Sequence, residues 1–306
     1  MEKPKKIFLF SLLVFLIISS KPLYGKQFSA LKGNGVSVLF EEPLKNAAKE
    51  VANIYPTLIA ELEKTLKWKL DYTPGVILIK ERETFQKMAG SELVVAYAVP
   101  RRGLVVIDYS RMNNTPFTLR ITLKHELCHL LLHRHIQEGR LPKWLDEGVA
   151  QWVSDGFGEI IMDRSKSFLI RAVLTGKYIP VSELTVRFPK ERQALVLAYD
   201  ESKSLIEYIA GKFGSDSIVA ILENLKDGYD INQAIEKGIS ISLYELEKQW
   251  RARLSKRLTW LIYLSNNVYG ILFFLAALLT IVGFIRYMKK KIDYKDEDDD
   301  DIDRQE

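Results

Sequence analysis

Three residues within one short stretch carry the most specific chemical signal in the sequence. His125, Glu126 and His129 form an H-E-x-x-H pattern. Residues four apart lie one turn apart on the same face of a helix, so both imidazoles can reach a single ion. Two neutral histidines suit Zn²⁺. Glu126 lies beside the first histidine, where it can take a proton from metal-bound water without being a ligand itself.

A catalytic zinc ion usually has a third protein ligand, and His133, His135 and Glu147 are the candidates. His133 continues the same helical stripe, but the eight residues that separate it from His125 span about 12 Å along a helix axis. That distance is too large for the two imidazoles to share one ion. His133 is therefore not expected to be a ligand.

The sequence by itself does not decide whether His135 or Glu147 is the third ligand. His135 follows His129 by six positions, which is the spacing of the metzincin metallopeptidases. That pattern needs a glycine three residues after the second histidine, and Leu132 stands there, which favours continued helix. Glu147 lies in P-K-W-L-D-E-G-V-A, where Pro142 indicates the start of a second helix whose first turn could present a carboxylate.

H-E-L-C-H followed eighteen positions later by the glutamate of W-L-D-E-G-V-A resembles the gluzincin metallopeptidases, in particular the peptidase MA-like group. The resemblance covers most of residues 36–257. It implies a thermolysin-like zincin of the α+β class with one Zn²⁺ per chain. It also implies that His125, His129 and Glu147 are the metal ligands and that Glu126 is the general base.

The reaction implied by the resemblance is hydrolysis of peptide bonds in a peptide or protein substrate. A tyrosine downstream of the glutamate ligand would donate to the oxyanion; Tyr199 is the expected residue, and Tyr208 and Tyr178 are alternatives. The aminopeptidase branch of the gluzincins carries a G-x-M-E-N motif before the zinc helix, which does not occur here. We therefore expect an endopeptidase, with the strand Leu104–Tyr109 offering an exposed edge to the substrate.

The elements that must position these residues are strands and helices in the first half of the chain and helices alone in the second half. The patterns predict a strand at 36–40, a helix at 43–67, a strand at 76–80, a short helix at 84–89, a hairpin of 93–99 with 104–109, and a helix from Thr115 to about Arg134. Beyond residue 142 almost every segment has a helical pattern. This predicts a peptidase domain at 26–257, with an α/β subdomain at 26–138, a helical subdomain at 139–257 and a cleft between them.

The two ends of the chain indicate export and membrane anchoring. Residues 1–25 combine early lysines with a short apolar run, which is typical of a secretory signal peptide. Residues 262–286 are long and apolar enough for one transmembrane helix, and 287–306 form an acidic tail. The signal peptide sets the expected orientation, with the catalytic domain extracytoplasmic and the tail cytoplasmic.

Composition narrows the remaining alternatives. The formal net charge of +5 is spread along the chain without a basic stripe, so no nucleic-acid partner is expected. The single cysteine, Cys128, excludes an internal disulfide. Two other interpretations stay open: a non-catalytic zincin-like binding domain tethered to the membrane, and a metzincin-type peptidase that uses His135 as its third ligand.

Overall fold

A computed structural model of the chain describes residues 28–112, 117–155, 168–266 and 268–302. The chain divides into two units, Met1–Trp250 and Arg251–Glu306, and each is described by itself. The predicted signal peptide at 1–25 lies outside the described residues.

A mixed sheet occupies the N-terminal half of the first unit. Its strands in the described residues are β1 (Phe28–Gly33), β2 (Val36–Glu41), β3 (Gly75–Ile79), β4 (Ala96–Val99) and β5 (Leu104–Asp108). They lie in the order β1-β2-β3-β5-β4; β2, β3 and β5 are parallel, and β1 and β4 run antiparallel to their neighbours. Strands β3 and β5 are buried along their whole length, as expected for nearly continuous apolar sequences. The exception is Asp108 at the end of β5, which pairs with Arg82.

The hairpin formed by β4 and β5 confirms a prediction from the sequence. Pro100–Arg102 form a single 3₁₀ turn, and Gly103 follows it in the left-handed region with a φ of 61°. A Cβ atom on Gly103 would also lie 2.6 Å from the ring of Tyr72. Both the backbone angle and the close contact therefore require glycine at the end of this turn.

Three helices pack with the sheet: α1 (Lys45–Leu66), α2 (Arg82–Ala89) and α3 (Leu119–His135). Helix α3 carries the H-E-x-x-H residues, as predicted. Its N-cap is Thr118, whose hydroxyl accepts a hydrogen bond of 3.2 Å from the backbone N–H of Ile121. The predicted start at Thr115 is therefore too early, and Thr115 itself lies outside the described residues.

Beyond α3, the described residues are mainly helical, which confirms the α+β class. The helices are α4 (Lys143–Ser154), α5 (Phe168–Thr175), α6 (Arg192–Phe213), α7 (Ser215–Lys226), α8 (Ile231–Ile239) and α9 (Leu243–Asn266). Helix α4 packs against α3 on one side and α6 on the other. The hydroxyl of Ser242 accepts a hydrogen bond from the N–H of Glu245 at the start of α9.

The second unit contains one helix that is long and apolar enough to cross a membrane. Helix α10 runs from Val268 to Ile302, and its segment Val268–Met288 has a mean hydropathy of 2.6 with none of its apolar window buried. The apolar segment begins six residues later than the predicted start at 262. Residues 262–266 belong to α9 instead.

Candidate metal centre

Helix α3 presents two histidines and a glutamate in a buried environment. His125 and His129 lie one turn apart, and their Nε2 atoms are 3.1 Å from each other. Glu126 is completely buried beside them. The helical spacing read from the sequence therefore does bring both imidazoles to one point.

Helix α4 adds the carboxylate of Glu147 to this pair. Its Oε2 atom lies 3.6 Å from Nε2 of His125 and 3.8 Å from Nε2 of His129. The point equidistant from these three atoms lies about 2.0 Å from each, the length of a zinc–nitrogen or zinc–oxygen bond. Oε2 is also buried without a hydrogen-bond donor in the described residues. Two imidazoles and one such carboxylate fit a zinc ion.

Helix α4 is held in place by contacts at both its start and its middle. The backbone N–H groups of Lys143 and Trp144 donate to the carbonyls of Thr185 and Leu184 at 2.8 and 3.1 Å, which caps a helix start that has no side-chain cap. In the middle, the absence of a side chain at Gly148 lets α4 approach α6 closely. These contacts fix the position of Glu147 relative to α3.

Asp146 contacts the candidate metal centre and was not singled out from the sequence. Its Oδ1 atom lies 2.7 Å from Nδ1 of His129. Because a carboxylate only accepts, Nδ1–H of His129 donates, which leaves the lone pair of Nε2 free for a metal. Burial by itself would raise the pKa of Asp146, but His129, His133 and the charge of Lys143 hold that pKa well below its usual value. Its position directly before Glu147, a predicted ligand, was the sequence signal that could have identified it.

His135 lies apart from this cluster. Its Nε2 atom is 2.9 Å from the backbone carbonyl of Lys69, and its ring stacks on Trp68 with 4.8 Å between ring centroids. The metzincin alternative is therefore wrong in its geometry: the chain brings Glu147, not His135, to the histidine pair. Helix α3 continues through Leu132 without the sharp turn that would redirect His135.

A comparison with known families agrees with this site. The sequence model of the peptidase MA superfamily matches residues 96–256, which is more than half of the 306 residues. The chain belongs to the peptidase MA superfamily. The matched segment includes the edge hairpin, both helices of the metal centre and α6. Membership of this superfamily supports a zinc-dependent peptidase.

A search of solved structures found partial matches to longer chains. Yeast LTA4 hydrolase is 14% identical with a TM-score of 0.44, and the match covers 75% of this chain and 38% of that one. Aminopeptidase A of Legionella pneumophila, solved with aspartic acid, is 13% identical with a TM-score of 0.42, covering 74% and 28%. An M1 zinc metallopeptidase of Deinococcus radiodurans is 13% identical with a TM-score of 0.40, covering 74% and 51%. No curated protein sequence matches the chain.

Tyr199 lies buried on α6, which packs against the helix of Glu147. Its ring lies edge-on to Phe188 with 4.9 Å between centroids, and its carbonyl accepts a hydrogen bond from Nε2 of Gln151 on α4. The hydroxyl of Tyr208, an alternative donor, lies 3.3 Å from Oε1 of Gln249. The ring of Tyr178, the other alternative, packs against Trp250.

A cavity of about 920 Å³ opens beside the metal centre. Its walls are formed by residues 71–72, 97–103, 129, 133–134, 138, 143 and 146. Strand β4 lies along this cavity and is one of the two edge strands of the sheet, with β1 at the other edge. The prediction that Leu104–Tyr109 forms the exposed edge is therefore wrong, because β5 lies between β3 and β4 with both of its sides paired.

Proposed function

We propose that this chain is a zinc-dependent peptidase that hydrolyses internal peptide bonds. The observation that carries the proposal is the meeting of His125, His129 and Glu147 around one point, with Glu126 buried beside them. His₂Glu is a known ligand set of catalytic zinc. Membership of the peptidase MA superfamily agrees with this reaction class.

His125, His129 and Glu147 would hold one zinc ion per chain. The bound ion would polarise both the attacking water and the scissile carbonyl. Glu126 takes the proton from this water and passes it to the leaving amine.

Tyr199 is proposed as the donor that stabilises the oxyanion of the reaction. The proposal draws on its place on α6, which packs against the helix of Glu147, and on the gluzincin resemblance. A donor aimed at the developing charge would lower the barrier most if it is fixed before the reaction. Its contact with Phe188 would hold the ring in one orientation.

The substrate is proposed to bind as an extended strand along β4. This strand has β5 on one side, and its residues 97–99 line the cavity. Pairing through the main chain holds a peptide without requiring a free terminus, which favours an endopeptidase. The substrate would lie in a thermolysin-like cleft between an α/β subdomain at 26–138 and a helical subdomain at 139–257.

The location is also part of the proposal. A signal peptide at 1–25 would export the peptidase domain, and one transmembrane helix near 262–286 would hold it at the membrane. Support comes from the apolar segment Val268–Met288. The domain would then be extracytoplasmic, with the acidic tail at 287–306 in the cytoplasm.

The function can be tested on the full-length protein purified in detergent. We expect about one zinc per chain by metal analysis, cleavage of an unfolded protein at internal sites by mass spectrometry, and loss of both after treatment with a chelator. Re-addition of zinc should restore cleavage. Zinc binding without any cleavage would contradict the peptidase and support a binding domain; release of single amino-terminal residues only would contradict the endopeptidase.

A further inference from the structure

The carboxylates of Asp146 and Glu147 each have an outer oxygen, which faces away from the metal centre. A side chain from the wall of the cavity binds each outer oxygen. Asp146 and Glu147 each turn one oxygen towards the metal centre and the other away from it. The outer oxygens meet His133 and Lys143, respectively. Neither of these two donors is a metal ligand.

His133 lies one turn after His129 on α3 and binds the second carboxylate oxygen of Asp146. Its Nε2 atom is 3.0 Å from Oδ2 of Asp146, while Oδ1 receives Nδ1–H of His129. The side chain of His133 is 28% exposed, whereas that of Asp146 is 6% exposed. One buried carboxylate thus joins a ligand to a residue at the cavity wall.

Lys143 lies one turn before Glu147 on α4 and makes the matching contact. Its Nζ atom donates to Oε1 of Glu147 over 2.5 Å. The other oxygen, Oε2, is left facing the two histidines. Lys143 is 38% exposed at the cavity wall, and Glu147 is buried.

We propose that His133 and Lys143 are positioning residues for the metal centre. Torsions at the ends of Asp and Glu side chains are broad, so an unrestrained carboxylate samples several orientations. A donor on each outer oxygen fixes that orientation. Asp146 then always presents Oδ1 to His129, and Glu147 presents only Oε2 to the ion. The inference depends on the proposed metal centre but not on hydrolysis.

The test measures the zinc dissociation constant of full-length variants by competition with a chelator. His133→Leu and Lys143→Met should each weaken zinc binding about 10-fold, the lower end of the range for groups that hydrogen-bond to a metal's ligands. His133→Gln and Lys143→Arg keep an N–H donor and should recover most of the affinity. Arg134→Met is the matched control, because it removes a cavity-wall cation whose partner is Asp71.

Two further readouts separate positioning from general stability. With Co²⁺ in place of zinc, the visible absorption bands should shift in His133→Leu and Lys143→Met but not in Arg134→Met. In an Asp146→Asn background, His133→Leu should have no further effect on zinc affinity.

Unchanged affinity and spectra in both donor variants would overturn the inference while leaving the metal centre intact. Equal losses in Arg134→Met would also overturn it. A parent protein that binds no zinc would overturn the metal centre itself, and this inference with it.

Discussion

At the scale of single residues, Glu147 would supply the negative charge of the proposed metal centre. His125 and His129 bind a metal as neutral imidazoles, so the carboxylate is the one charged ligand in the set. It is completely buried, and a buried carboxylate is costly unless a partner compensates it. Lys143 compensates Oε1, and a divalent ion between the three ligand atoms would compensate Oε2.

Removing Glu147 should therefore have a much larger effect on metal binding than removing His135. Glu147→Ala should weaken zinc binding by more than about 100-fold, which is beyond the range for loss of a group that only hydrogen-bonds to a ligand. His135→Ala should leave it nearly unchanged, because His135 contacts Trp68 and Lys69 instead. Metal analysis after dialysis against a weak chelator gives the comparison. The reverse order would restore the metzincin interpretation.

Tyr199 allows an equally specific test at this scale. Tyr199→Phe keeps the ring and its contact with Phe188 and removes only the hydroxyl. Loss of one oxyanion donor typically lowers turnover by about 10²–10³-fold, so we expect that decrease in kcat with zinc content and melting temperature unchanged. If kcat is also unchanged, Tyr199 is a packing residue of α6.

The metal-site residues differed in how far the sequence could predict them. The spacing of His125 and His129 is a local property of one helix and could be read directly. Glu147 required knowing that α4 returns to α3, which local spacing does not contain, so its prediction depended on the family resemblance. Asp146 could not be assigned a role from the sequence, because its contact with His129 is made between two helices.

At the scale of elements, the packing of α4 against α6 depends on Gly148. A Cβ atom there would lie 2.6 Å from Cγ1 of Ile206 and 2.6 Å from the backbone carbonyl oxygen of Ser202. The second of these atoms cannot move without moving α6. The glycine next to Glu147 therefore sets the distance between the two helices.

Gly148→Ala should destabilise the protein although alanine is the better helix former. Alanine gains about 1 kcal/mol of intrinsic helix propensity, but the backbone contact forces the helices apart at a cost of about 1–3 kcal/mol or more. We expect a lower melting temperature together with weaker zinc binding, because Glu147 moves with α4. Gly33→Ala is the control, since a Cβ there meets open space. An unchanged melting temperature in Gly148→Ala would refute the close approach.

Individual elements could be predicted better than their arrangement. The β4–β5 hairpin was predicted because Pro100 and Gly103 are local turn signals. The order of the strands is not local, and so the wrong strand was taken as the edge. A strand that precedes the zinc helix in sequence need not be outermost, because β4 pairs back onto β5 and covers it.

At the scale of the whole molecule, cysteine labelling can measure on which side of the membrane the peptidase domain and the acidic tail lie. The single native cysteine, Cys128, is fully buried, and that burial raises its pKa to about 12, so it should not react. Lys49→Cys in the exposed part of α1 should react with a membrane-impermeant maleimide in intact cells. Asp299→Cys in the tail should react only after permeabilisation. The parent protein is the control, and the opposite labelling pattern would invert the topology.

The central claim is that Glu126 acts as the base of a zinc-dependent hydrolysis. The most direct measurement is zinc content and turnover of the parent and Glu126→Gln, purified side by side. Glutamine keeps the shape of the side chain but cannot accept the proton, while His125, His129 and Glu147 remain to hold the ion. We predict equal zinc content and a decrease in turnover of about 10²–10⁴-fold, the usual contribution of a general base. A Glu126→Gln variant that holds its zinc and cleaves as fast as the parent would contradict the account.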